Sequence, residues 1–235
     1  MAGGARAPGG HAMSLPELQF GEVFANIDLL LKACGLTLAL WAIALAAGLG
    51  GGLLLGLARI AQRRWIAWPA RAFVETFRNT PVLVQLIWFY YALPVVTGIQ
   101  LPAFAAAALA LSLNACAYCA EIYRGGIQAV PTGQWEAGRA LGMGRLRLLR
   151  RIVLPLAVRR MVPAFTNRAV ELAKNTSVAS IVTVHELMYT ARLFSSQNYL
   201  PLETFTVVAV IYFVLIYPFT LASYALERRF AASGA

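Results

Sequence analysis

Forty-two consecutive residues, Asn79 to Ala120, pass without a single charged side chain. About 20 residues of helix cross a bilayer core, so this run is long enough to cross twice. Pro94, Gly98 and Pro102 fall near its middle. Unpaired backbone is costly in lipid, so a helix up, a short turn and a helix back is the expected solution. Two more uncharged runs flank it, Ala33–Ala58 with 26 residues and Phe205–Leu226 with 22. A fourth apolar stretch, from about Met161 to Val184, is interrupted by Arg168, Glu171 and Lys174. Charged residues make up 13% of the 235 and hydrophobic residues 60%. A soluble domain carries about a quarter charged residues, so lipid is the solvent this composition suits.

The sequence therefore predicts an all-α polytopic membrane protein with five transmembrane helices, at about 29–58, 75–98, 101–122, 161–184 and 204–226. They belong to one transmembrane domain over residues 26–230, with an N-terminal segment 1–25 outside it, a polar cytoplasmic loop at 124–160 and a short tail at 231–235. Five spans put the termini on opposite sides, and the arginines decide which side is which. The gaps after spans one and three and the segment after span five hold 5, 8 and 2 arginines, whereas the other side has Arg6, Lys32 and Arg192. Positive loops stay in the cytoplasm, which places the N-terminus outside and the C-terminus inside. The net charge of +10 is thus explained by topology, and nucleic-acid binding is not expected. No cleavable signal is expected, because the first twenty-odd residues lack an apolar core.

Gly48, Gly52 and Gly56 recur every four residues on one helix face, which lets another helix approach closely. Cys34, Cys116 and Cys119 sit inside apolar runs and read as small buried side chains. No phosphate-binding GxxxxGK[ST] loop, no HExxH and no metal-spaced His/Cys cluster occurs; the histidines are His11 and His185. Neither a catalytic residue, a metal site nor a cofactor is expected in this chain.

The loop after the third span is Arg-rich and too polar to cross. Glu136 to Leu141 predicts one short helix, Gly142 and Gly144 allow a reversal, and a second helix runs from about Arg145 to Leu154, with Pro155 closing it. Leu146, Leu149, Ile152 and Val153 share a face of that helix, while Arg147, Arg150 and Arg151 occupy the rest. By pattern alone this is either a cytoplasmic helical hairpin or a basic helix lying on lipid headgroups.

Glu136, Ala137, Gly142, Ile152, Leu154 and Pro155 resemble, at every spacing, the EAA loop of ABC importer permeases. Gly138 stands in place of the motif's second alanine. Phe77-Arg-Asn-Thr-Pro-Val-Leu-Val-Gln-Leu86 and Ala117-Tyr-Cys-Ala-Glu-Ile-Tyr-Arg-Gly-Gly-Ile127 resemble the second- and third-helix signatures of the polar amino acid subgroup, whose members carry His, Glu, Gln, Arg or opines. Asn79 stands where that subgroup usually has glycine. The resemblance covers roughly residues 26 to 230 and implies a permease subunit of the bacterial inner membrane. It implies an importer for polar amino acids or related small solutes, with a coupling helix carried by Glu136, Ala137, Gly138, Gly142, Arg145, Ile152, Leu154 and Pro155. It also implies the partners: a dimer of ATP-binding subunits that holds the ATP and Mg, a second permease subunit, and an extracytoplasmic solute-binding protein.

Polar side chains inside spans are expensive and persist where they face a cavity or a partner. The fourth span has the densest set, Asn167, Arg168, Glu171, Lys174, Asn175, Thr176 and Ser177. Together with Glu121 and Gln85 these are the candidate lining of a solute route. Arg168, Glu171 and Lys174 are three apart, so a salt-bridge ladder is the structural alternative, with Arg168 and Glu171 snorkelling at the cytoplasmic end. Gln85 and Asn114 equally suit hydrogen bonds between helices. The subgroup commonly has an acid after the asparagine at 167, where this chain has Arg168. Two functional alternatives are a compatible-solute permease of the ectoine-like type and, from another class, a stand-alone ion-coupled carrier. A second copy of the loop or paired inverted repeats would favour the carrier, and the sequence has neither.

Overall fold

Glycine at every fourth position decides how the first long helix packs. The structure, a computed structural model, describes residues 18–232, and every regular element among them is helical. After a short α1 (Phe20–Ala25), α2 (Ile27–Arg59) lies along α6 (Ala103–Gln128). A methyl group built on Gly48 would stand 2.7 Å from the Ala115 Cβ, and one on Gly52 2.5 Å from the Cys119 Cβ. At Gly56 it would meet the Ala120 carbonyl oxygen at 2.9 Å. The two backbones are therefore as close as small residues permit. The cysteines are free and buried; Cys116 and Cys119 stand in this seam, and Cys34 packs with Leu187 and Phe194.

Between these two helices the chain is bent. α3 (Arg64–Asn79) and the segment Val82–Thr97 meet at 105° across Thr80–Pro81. That second arm comprises α4 (Val82–Ile87), a π-helical turn (Trp88–Ala92) and α5 (Leu93–Thr97). Of the three breakers near the middle of the uncharged run, the helix passes Pro94, as a span reaching to 98 requires. The reversal comes at Gly98, whose φ of +74° places it in the left-handed region. The π turn explains the passage of Pro94, because it shifts the carbonyl that the proline ring would otherwise strike. The same device recurs before Pro155. There α8 (Arg145–Leu148) widens into a π turn (Leu149–Val153) and runs straight into α9 (Leu154–Asn175). Pro155 therefore does not close the loop expected at 124–160. The first five residues of that range belong to α6, and its non-helical parts flank α7 (Thr132–Ala140).

α9 ends in a 3₁₀ segment (Thr176–Val182), followed by α10 (Leu187–Asn198) and α11 (Pro201–Ala232). Glu186 is fully buried and accepts the Tyr189 N–H at 2.8 Å, capping α10. The same carboxylate accepts the hydroxyls of Tyr212 at 3.1 Å and Thr37 at 3.4 Å, so one side chain ties α2, α10 and α11 together. Leu40, Leu86, Leu111, Leu172 and Val182 form the main core, and a second core joins Leu30, Leu187, Phe194 and Val207.

Among the described residues, α2, α6 and α11 are long and apolar enough to cross a membrane, and the bent α3–α5 pair taken as one span makes four. Leu54, Val95, Phe213 and Val214 stay exposed on the outside, an apolar surface suited to lipid. The segment expected outside the membrane at 1–25 lies mostly beyond the described residues, as do 233–235 of the tail.

The Gly52→Ala variant must drive α2 off α6, with overpacking costing about 1–3 kcal/mol. Gly50 has open space around its Cα, so Gly50→Ala serves as the neutral control. Heat-induced loss of the monodisperse detergent-solubilised peak should come at a lower temperature for the first variant and not for the second.

Candidate functional site

The bend at Thr80–Pro81 strips α3 of partners for its last four carbonyls, those of Thr76, Phe77, Arg78 and Asn79. Side chains serve the first three. The Thr80 hydroxyl donates to the Thr76 carbonyl at 2.8 Å, and the Tyr118 hydroxyl points to that of Arg78 at 3.4 Å. Phe77 receives two amides, Gln85 Nε2 at 2.8 Å and Asn114 Nδ2 at 3.1 Å. Gln85 also donates to the Thr80 carbonyl at 3.0 Å. Both amides are buried, at 6% and 4% exposure. Gln85 and Asn114 thus serve as interhelical hydrogen-bonding groups.

The free oxygen of Asn114 carries the network onward. It accepts Arg168 Nη2 at 2.7 Å across to α9. Arg168 is 4% exposed and turns inward, so it does not snorkel. Its guanidinium lies 4.0 Å from the Tyr118 ring centroid, a cation–π distance. Nη1 stands 2.9 Å from Glu171 Oε2, which is one rung of the expected ladder. Lys174 makes no second rung: among the described residues, Glu171 has no ion pair with it. These groups surround a cavity of about 350 Å³ that Asn79, Thr80, Glu171 and Asn175 also line.

The remaining candidates divide. Lys174 and Ser177 open instead on a groove of about 510 Å³ beside Tyr212 and Tyr217 of α11. The hydroxyls of Thr176 and Ser177 are spent on the carbonyls of Ala173 and Lys174, at 2.7 and 2.8 Å, easing the end of α9. Thr176 is fully buried. Asn167 is exposed and lines neither cavity. Glu121 belongs to an ion cluster at the far end of α6. It pairs with Arg59 and with Arg124, whose Nη2 is 2.8 Å away, and lies 3.5 Å from Arg78 Nη1. Arg59 also reaches Glu75 at 3.3 Å. The role shown there is to fasten α2, α3 and α6 together.

The hairpin has its own geometry. Gly142 has φ +69°, its N–H donates to the Arg139 carbonyl at 2.9 Å, and the Met143 N–H reaches back to Gly138 at 3.0 Å. Those two bonds are the Schellman closure of α7. A Cβ at Gly138 would collide with Leu148 Cδ1, so the position where alanine was expected is filled by a neighbour's side chain. Leu148, Val153 and Ala157 pack with Val130 and Met161, with Ile152 beside them, fixing the hairpin to the ends of α6 and α9. Glu136, Ala137, Arg145, Leu154 and Pro155 are exposed, and Leu141 is 80% exposed.

Residues 48–232 match the family model of the binding-protein-dependent transport system inner membrane component. The chain belongs to that family. As an inner membrane component it is a multi-pass permease of ABC importers, in keeping with its apolar helices. It is 40% identical over 211 residues to the octopine transport system permease protein OccM of Rhizobium radiobacter, covering 83% of this chain and 86% of that protein. It is 35% identical to the glutamine transport system permease protein GlnP of Escherichia coli strain K12, covering 91% and 98%. The crystal structure of an amino acid ABC transporter with histidines superposes with a TM-score of 0.86 at 33% identity, over 91% of this chain and 99% of that one.

Sequence reasoning passed over several lining residues of this permease. Arg78, Asn79, Thr80 and Tyr118 lie inside the two helix signatures and could have been found there. Glu186 gave no signal beyond being an acid next to an apolar stretch.

Gln85→Leu leaves the Phe77 and Thr80 carbonyls short of donors in a buried site, which should cost about 1–3 kcal/mol. Asn114→Leu should cost as much or more, since it also orphans Arg168. In a thermal double-mutant cycle the two losses should be non-additive, because both amides serve Phe77.

Proposed function

We propose that this chain is the permease subunit of an ATP-driven importer for polar amino acids or related small solutes. It spans the membrane five times, with its N-terminus outside and its C-terminus in the cytoplasm. In this reading α9 is the remaining span. Its buried cation, Arg168, faces Asn114 and Tyr118 of the bundle, which is the arrangement that makes a charged residue tolerable in a span. The amino-acid class is taken from relatives named for octopine, arginine and glutamine transport. A stand-alone carrier reading has no support, since the family is one of binding-protein-dependent components.

The hairpin carries the proposal. α7 is closed by a rigid turn, anchored on one face, and bare on the other at Glu136, Ala137 and Leu141. A short helix so held acts as a lever. An ATP-binding subunit seated on the bare face would, on closing with its twin over ATP and Mg, push α6 and α9 through it. A second permease subunit and an external solute-binding protein complete the assembly, and Arg168, Glu171 and Asn175 line the solute route.

Two measurements test this. A Leu141→Cys variant should crosslink to a copurifying ATP-binding subunit in native membranes, and the three resident thiols, all buried, should not. Absence of any ATPase at that position refutes the proposal. Gly142→Val puts a β-branched residue at positive φ, a strain of about 1–2 kcal/mol. The variant protein should reach the membrane in normal amount, yet hydrolyse ATP without solute uptake. Uptake at the unaltered rate would discard the lever.

A further inference from the structure

The cavity at the α3–α4 bend is lined by three charged groups, Arg78, Arg168 and Glu171, and so holds one surplus positive charge. Both guanidiniums lie against one ring, Tyr118, at 4.0 Å for Arg168 and 5.5 Å for Arg78. Neither is saturated. Nε of each is buried without a hydrogen-bond acceptor, and Nη1 of Arg168 touches Glu171 at an angle that makes no hydrogen bond. Arg78 is the weakest partner of Glu121, whose oxygens are already taken up by Arg59 and Arg124. Buried donors of this kind call for an acceptor, and a carboxylate is the best match for a guanidinium fork.

An ordinary α-amino acid brings one carboxylate and one ammonium. Arg168 and Glu171 answer those two charges one for one, which leaves Arg78, whose one ion pair among the described residues is a 3.5 Å contact to an already shared Glu121, to answer a further anion. We propose that the solute passing this cavity carries a second carboxylate, as in an acidic amino acid or an N-carboxyalkyl amino acid of the opine type. The inference rests on the importer reading above and specifies its substrate class. Asn175 and Asn79 at the margin are neutral and add no competing anion.

The test uses the complete complex with its ATP-binding subunits in lipid nanodiscs, and equilibrium binding of two solute pairs. L-Glutamate against L-glutamine and octopine against L-arginine each differ by one carboxylate. The acid-bearing member of at least one pair should bind about 10- to 100-fold more tightly, the worth of one charge-assisted pairing. Which pair responds tells the acidic amino acid from the opine. Arg78→Gln should reduce the ratio to near one, whereas Arg168→Gln should weaken both members of a pair alike. Asn175→Asp, at a half-buried position that leaves the Arg168 contacts in place, cancels the surplus charge and should reduce the ratio about tenfold. It decides the matter if Arg78→Gln does not fold.

The proposal is overturned if the member with fewer carboxylates binds as tightly in both pairs. It is overturned equally if no solute binds, or if folded Arg78→Gln or Asn175→Asp variants keep the wild-type ratio. Uptake of neutral amino acids by an intact complex would then leave the importer reading standing. A complex that never forms with an ATPase would defeat that reading itself.

Discussion

A broken helix in lipid has to find new partners for the carbonyls at the break, and the handling of one such break organises this molecule. At Thr80–Pro81 the amides of Gln85 and Asn114 both take over the Phe77 carbonyl that α3 leaves open, and Gln85 serves that of Thr80 as well. Asn114 has one oxygen left, and that oxygen seats Arg168. A backbone requirement on one side of the bundle thereby fixes a cation from the other side beside Tyr118. The cavity exists because two arms of one hairpin diverge at 105°, and it is polar because the divergence needed donors.

Much of the helical framework was legible in the sequence. Uncharged runs locate α2, α6 and α11, and the glycines at 48, 52 and 56 announce the seam with α6 that the structure contains. Prolines were less informative. Pro155 read as a break, yet it, like Pro94, is preceded by a π turn that lets the helix pass. Nothing in a linear pattern separates a proline that ends a helix from one that a widened turn accommodates, because the distinction lies in where one carbonyl can move.

The candidate site was half legible. Arg168, Glu171 and Asn175 were expected on one face of a polar span, and they do line one cavity. Lys174 and Ser177, equally polar, fall on another face, and Thr176 is buried with its hydroxyl turned to its own backbone. Glu121 was a candidate for the solute route, but folding surrounds it with arginines contributed from α2, α3 and α6. Gly138 shows the converse: a departure from the loop pattern becomes intelligible once Leu148 is seen to occupy the missing methyl's place.

The seam between α2 and α6 has a mechanical corollary. Where glycine backbones abut at the Ala115, Cys119 and Ala120 positions, there is no side-chain cushion to absorb sliding. These two helices, pinned at one end by the Glu121 ion cluster, therefore form a stiff spine. α11 has no such seam on its outer side, where Phe213, Val214 and Tyr217 are bare. The closest contact in the molecule is thus made by its smallest residues, and its barest face by some of its largest.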